Sequence, residues 1–326
     1  MPEMTSAAPP SRGRLLAGFG AIYFLWGSVY LAIRFTIETL PPFFTNGVRL
    51  ALAGAILYLW ARLSGAPAPT RREWVAGAVV GGLMFLAGTG AVVWSERFIP
   101  SGIAALVVGT EPISFVLIDS LRRRVVPRAP ILAGLALGLA GIGVLVGPGE
   151  LLGSGRFDMA ACAVLVAGTL AWAAGSLFSR DRRMSPSPVM ATAITLAAGG
   201  ALLALLGLAA GELARFDSSA VSARSLLATA YLLIFGSLIG FSAYLWLLRV
   251  STPSRVATYA YVNPIVAVLL GWALADEPLT PRVFLAAAVI VGAVVLIIRH
   301  GGEEREAMPR GEGSLACAPA PEAPRG

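Results

Sequence analysis

The stretch that decides the fold is 101-SGIAALVVGTEPISFVLIDS-120, followed at once by Arg122, Arg123 and Arg124. It is apolar or small throughout except for Glu111 near its middle and Asp119 near its end. At about 1.5 Å per residue, a helix of this length matches the roughly 30 Å hydrocarbon core of a bilayer. Working outward, similar runs fall at 15–36, 42–61, 74–95, 130–147, 159–178, 188–210, 225–248, 257–275 and 282–298. Ten spans leave only short connections, with no room for a soluble domain. The expected fold class is an all-α polytopic membrane protein with ten transmembrane helices, and the lipid bilayer is its expected surroundings.

Composition agrees. The 326 residues are 57% hydrophobic and 13% charged, with mean hydropathy +0.77. An average soluble domain has about 45–50% apolar and about 25% charged residues, so a water-soluble globule is excluded. The net charge of +7 comes from arginine alone. Placing the N-terminus inside puts eighteen arginines in the termini and loops of the inner face and six on the other, with Arg49 left within a helix. That bias predicts N and C termini in the cytoplasm, and the basic balance is a topology signal with no nucleic acid implied.

Several chemistries are missing their residues. Without lysine there is no Walker phosphate loop and no Ser-Lys dyad, so ATP is not expected as energy source. His300 is the only histidine, and Cys162 and Cys317 are far apart, which leaves no disulfide framework and no zinc ligand set. No cofactor and no metal are expected. An intramembrane enzyme fares badly too, because the helices offer no familiar pair of acid and base.

An internal repeat organises the chain. An offset of 152 residues aligns Gly88 with Gly240, Trp94 with Trp246, Arg97 with Arg249, Pro112 with Pro264, and Ile113, Val116 and Leu117 with Ile265, Val268 and Leu269. A five-helix unit is odd-numbered, so its copy crosses the membrane in the opposite sense, as in the two inverted repeats of many secondary transporters. The expected parts are an N-terminal cytoplasmic segment at 1–14, a first repeat at 15–147, an external connection at 148–158, a second repeat at 159–298 and a disordered tail at 299–326.

Pro112 and Pro264 lie near the middle of the fourth and ninth spans and are the expected helix breaks, with freed carbonyls at Val108 and Ala260. Glu111 sits at the expected bilayer centre, where a carboxylate must be protonated, paired or wet. Arg49 reaches a similar depth. The pair reads as a coupling or substrate-ammonium site at Glu111 with Arg49 as counter-charge or carboxylate clamp, against a bland reading as a packing pair. Asn263 occupies the place of Glu111 in the second repeat. Trp26, Tyr30, Trp172, Tyr244, Tyr259 and Tyr261 add rings suited to flat or cationic ligands, although membrane belts and packing use the same residues.

These residues carry a resemblance. Trp26-Gly27-Ser28, the segment from Pro41-Pro42 to Arg49, Pro100-Ser101-Gly102-Ile103-Ala104-Ala105, Glu111-Pro112, Gly138 to Gly143 and Tyr259-Ala260-Tyr261-Val262-Asn263-Pro264 occur in order across both halves. In this the chain from about Gly18 to Arg299 resembles the EamA-type permeases of the drug/metabolite transporter superfamily. The resemblance implies an inner-membrane carrier with a central cavity, and efflux of amino acids, other small metabolites or toxic compounds. Family members often carry an acidic residue just beyond the fourth helix; here Arg122 to Arg124 intervene, while Glu277 follows the ninth.

The expected function is therefore secondary active transport of a small-molecule substrate across the bacterial inner membrane by alternating access, with protons as a candidate coupling ion. The helices expected to line the cavity are the first, third, fourth, sixth, eighth and ninth. A non-transporting scaffold or assembly subunit is the rival reading.

Overall fold

The computed structural model describes residues 11–124, 129–146, 158–181, 185, 187–251, 256 and 259–307. Among them the regular structure is helical. Helix α1 (Arg12–Ile37) starts where the Ser11 side chain accepts from the Arg14 amide, and α2 (Pro42–Leu63) starts on a proline that needs no donor partner in a first turn. A capping box between Thr70 and Glu73 opens α3 (Arg71–Ser95). Helix α4 comes in two pieces, Ser101–Val108 and Glu111–Arg123, and α5 is Ala129–Val146. The second half repeats the series. It comprises α6 (Met159–Asp181), α7 (Pro188–Ala209), α8 in three contiguous segments (Ala223–Tyr231, Leu232–Gly240 and Phe241–Val250), α9 (Tyr259–Ala275) and α10 (Pro281–Ala307).

Seven of these helices are long and apolar enough to cross a membrane, and the shorter apolar stretches Val262–Ala275 and Pro281–Ala293 accompany them. Large side chains such as Leu16, Leu59, Leu63, Leu205, Leu227 and Phe284 point away from the bundle. Outward-facing leucine and phenylalanine of this density suit acyl chains and would be a liability in water.

The two halves share more than composition. Residues Gly82–Thr89 of α3 and Leu232–Gly240 of α8 are both π-helical, in matching places of the two repeats. A π-turn inserts one extra residue and re-aims the side chains around it, and such turns concentrate at functional sites. The long packing partner of α2 is α7. A Cβ on Gly47 would come 2.2 Å from the Ala204 amide nitrogen, and one on Gly200 would come 2.3 Å from that of Ala51. Gly54 and Gly207 make equivalent approaches about two turns further along, so the helices touch backbone to backbone.

The structure departs from the sequence expectation at three places. The fourth span is interrupted at Gly109–Thr110, just before Pro112, so that Pro112 falls in the first turn of a new segment where its missing N–H costs little. Pro264 does not interrupt α9. With that helix beginning at Tyr259, the proline sits in its second turn and deprives only the Ala260 carbonyl of a donor. Finally, α10 continues through residues 299–307, read above as tail, on the helix-forming run Glu303, Glu304, Arg305 and Glu306. Residues 308–326, most of the 148–158 connection and residues 1–10 of the first segment lie outside the described residues.

Candidate functional site

The break in α4 sets up the site. Thr110 donates its amide (3.1 Å) and its hydroxyl (2.6 Å) to the Val107 carbonyl, closing the first piece, and Glu111 begins the second. Glu111 thus heads a half-helix inside the bundle, at the end where unpaired amides favour negative charge. Gly109 packs against the ring of Pro264, which fits the interruption in α4 against the unbroken α9.

Glu111 faces a half-open cavity of about 130 Å³ between the two halves. Its walls come from α1, α2, α3 and α4 on one side and α6, α7, α8 and α9 on the other. Helices α2 and α7 therefore join the six expected, through Arg49, Leu50 and Leu196. Of the residues singled out from sequence, Trp26, Tyr30, Arg49, Glu111, Trp172, Tyr259 and Asn263 all line it. Tyr244 stands behind the wall, its ring 4.8 Å from Trp26 and 6.0 Å from Tyr259 between centroids. The side chain of Tyr261 lies outside the described residues.

The two charged groups hold separate positions. The Tyr259 hydroxyl donates to Glu111 Oε1 at 3.1 Å, a bond from the second half to the first. Arg49 is 5% exposed, and its guanidinium donates to Asn46 Oδ1 (2.9 Å) and Ser237 Oγ (3.1 Å). No ion pair joins Arg49 to Glu111 among the described residues. Each therefore keeps hydrogen-bonding capacity directed at the cavity, because a guanidinium has five donors and a carboxylate about four acceptor sites. Asn263, with its amide nitrogen turned toward the carbonyls of Tyr23 (3.0 Å) and Tyr259 (3.2 Å), ties α9 to α1.

The aromatic walls are related by the repeat. Trp26 lies on Gly240 and Trp172 on Gly88, with a Cβ at either glycine only 2.7 Å or 3.1 Å from the indole. The two indoles meet edge to face at 6.4 Å, and Phe85 and Phe241 fill in beside them. Trp26 Nε1 donates to the Gly236 carbonyl at 3.4 Å, whereas buried Trp172 Nε1 has no partner among the described residues.

Other wall groups had no sequence signal strong enough to single them out. Thr89, Thr169 and Ser237 are polar residues inside apolar helices, indistinguishable from packing residues without their neighbours. Thr169 bonds Ser114 at 2.8 Å, one turn along α4 from Glu111.

A second group of residues had no role assigned from sequence, although Glu277 was noted there. On the side opposite the termini, α9 ends with Asp276 in the left-handed conformation (φ 52°) and the Glu277 amide bonded back to the Gly271 carbonyl at 3.2 Å, a helix-closing turn. This aims the Glu277 carboxylate at the start of α4. It accepts from the Ser101 amide (2.7 Å), the Ser101 hydroxyl (2.7 Å) and the Gly102 amide (3.0 Å). Glu212 after α7 does the same for α2, accepting from Phe43 (3.1 Å) and Phe44 (2.8 Å) amides. Two acids of the second half thus cap two helices of the first.

Comparison with known proteins agrees with this architecture. The EamA-like transporter family matches the chain twice, at residues 14–147 and 159–299. The chain is 40% identical over 288 residues to the inner membrane transporter YedA of Escherichia coli (strain K12), covering 87% of this chain and 91% of that one. It is 21% identical to the transporter YvbV of Bacillus subtilis (strain 168), over 89% and 92% of the two chains. A solved crystal structure at 24% identity, covering 88% of this chain and 98% of its own, superposes with a TM-score of 0.59 and shares the fold. The chain belongs to the EamA-like transporter family and is a membrane transporter.

Proposed function

We propose that the protein is a secondary active exporter of small amphipathic metabolites, moving them by alternating access through the cavity between its two halves. The observation that carries this reading is the placement of Glu111 and Arg49 on one aromatic-walled cavity without pairing to each other. A carboxylate suits a substrate ammonium group or a transported proton, a guanidinium suits a carboxylate, and the rings suit an apolar body. Amino acids with apolar side chains meet all three conditions, and amines meet the first and third. The arginine bias favours both termini in the cytoplasm, and the name of the relative YedA supports the inner membrane as location.

In the proposed cycle the substrate displaces the Tyr259 hydroxyl from Glu111 as it enters. The bond between the halves is then exchanged for one to the substrate. Rocking of one half against the other carries the occupied cavity from one face to the other. Proton coupling uses the same carboxyl, empty of substrate and protonated on the return.

Counterflow in proteoliposomes, with a panel of labelled amino acids and amines, tests the reading. The wild type is expected to exchange at least one member of the panel, and Glu111→Gln to lose movement driven by a pH gradient while remaining folded. Full coupling in Glu111→Gln would remove Glu111 from the mechanism.

A further inference from the structure

Glu96 directly follows the last residue of α3 and is 0% exposed. Both of its carboxyl oxygens lack a hydrogen-bond partner among the described residues. Such a group is costly to bury in ionised form, and it belongs to no wall of the central cavity.

Its surroundings are specific. From α1 comes Arg34, whose guanidinium donates to the backbone carbonyl of Glu96 and leaves the carboxyl unmatched. Tyr30, one turn before Arg34 on α1, lines the central cavity. From the connection after α9 comes the Glu277 carboxylate, like in charge. The first turn of α6 packs alongside through Ser95 Oγ to the Ala161 carbonyl (3.0 Å). Its acid, Asp158, is occupied by the Ala161 amide at 3.1 Å. Arg97, next in sequence, lies over the Phe98 ring at 5.6 Å. Above them Arg34, Arg97, Arg224, Glu38, Asp276 and Glu277 line a polar vestibule on the side opposite the termini. Burial first, and Glu277 second, push the Glu96 carboxyl well above the usual carboxylate range, against the opposing charge of Arg34.

We propose that Glu96 is a proton-binding site that couples protonation to closure of the side opposite the termini. It is neutral while Glu277 holds the start of α4 and ionises when that side opens to water. Breaking the Glu277 clasp frees the segment from Glu96 to Ser101, brings water to the carboxyl and lets its proton leave to that aqueous phase. Closure takes a proton back. Because the closed form holds the proton more tightly than a solvated carboxyl does, low pH favours closure. Each pH unit between the two affinities changes the ratio of closed to open by up to about tenfold.

The inference rests on the alternating-access reading, since it needs that side to open, but its test needs no substrate. Ile99 is 2% exposed and lies on the vestibule three residues from Glu96. Ile99→Cys is placed in a protein carrying Cys162→Ser and Cys317→Ser, and its labelling by a membrane-impermeant maleimide is divided by that of an exposed reference, Ala220→Cys. From about pH 6 to about pH 8.5 the ratio is expected to rise about tenfold or more. Glu96→Gln is expected to hold it low and flat, and Glu96→Asp to keep the rise. A ratio independent of pH, or an equal rise in Glu96→Gln, overturns the proposal, as does a ratio that follows sodium when choline replaces it. If Ile99→Cys stays unlabelled at every pH even with Glu277→Gln, the side does not open and the transport reading falls as well. Should Glu96→Gln fail to fold, infrared spectroscopy decides the matter at neutral pH in the Glu111→Gln background. An un-ionised carboxyl band that moves in Glu96→Asp supports the site, and a band that does not move removes it.

Discussion

Helices α4 and α9 occupy matching places in the two repeats and are built differently. The first is cut at Gly109–Thr110 and begins its second piece with Glu111, while the second runs unbroken through Pro264 and carries Asn263. Around them the repeat is closely kept, with π-turns in α3 and α8, an indole on a glycine in each half and reciprocal glycine crossings between α2 and α7. The difference teaches that the duplication fixes how the helices pack, while the departures from symmetry decide which polar groups face the cavity. An exact twofold would place two like groups on one cavity. Here one acid, one guanidinium and one amide give an entering molecule a direction.

The largest effect tests the scaffold. Gly47→Leu should prevent stable assembly of α2 on α7, because even a Cβ collides with the backbone at Ala204 and the neighbour cannot yield. A cost of about 3 kcal/mol or more is expected, read as loss of monodisperse protein on size-exclusion chromatography. Gly82→Leu, where only the tip of Leu202 is near, should be tolerated.

The next effect tests the asymmetry. Exchanging the groups, as Glu111→Asn with Asn263→Glu, should leave counterflow as poor as Glu111→Asn alone. An acid at 263 heads no half-helix and faces the carbonyls of Tyr23 and Tyr259. Recovery of transport would show that the cavity needs only a carboxyl, wherever placed.

Much of the scaffold was legible in the sequence, because lipid demands long apolar runs and duplication leaves rare residues at one offset. Seven of the nine candidate cavity residues line one cavity for a related reason. Trp, Tyr, Arg and Glu stand out in an apolar helix, and their depth follows from counting residues. What was not legible depends on neighbours. Glu277 looks like an ordinary loop acid until Asp276 turns the chain and Gly271 leaves space for its carboxylate beside Ser101. Glu96, following Ser95 beside Arg97, has the look of an interfacial charge, and only packing reveals its burial. Position along the chain says that Pro112 disturbs its helix. It does not say that the interruption falls before the proline, which depends on Thr110 bonding back to Val107.

A smaller effect concerns the caps that join the halves. Glu277→Gln keeps the shape but weakens charge-assisted bonds to Ser101 and Gly102, so thermal stability should fall by about 1–2 kcal/mol. The same change at Glu212 should do similarly through Phe43 and Phe44, and if only one matters the two clasps are not equivalent.

The smallest effect lies at the exposed start of α3. The Thr70 amide and hydroxyl hold the Glu73 carboxyl below its ordinary range, so its contribution is present above the unfolded value and is lost as pH falls through the folded one. Glu73→Ala should alter melting by only a few tenths of a kcal/mol and remove that acid-side dependence.

Thermal stabilisation by amino acids and amines, measured in parallel on wild type, Glu111→Gln and Arg49→Gln, tests the central claim most directly, because ligand that binds only the folded protein raises its melting temperature. A compound that stabilises the wild type should lose its effect in both variants if it spans from the acid of one wall to the guanidinium of another. Equal stabilisation of all three proteins would place the substrate elsewhere and contradict the account.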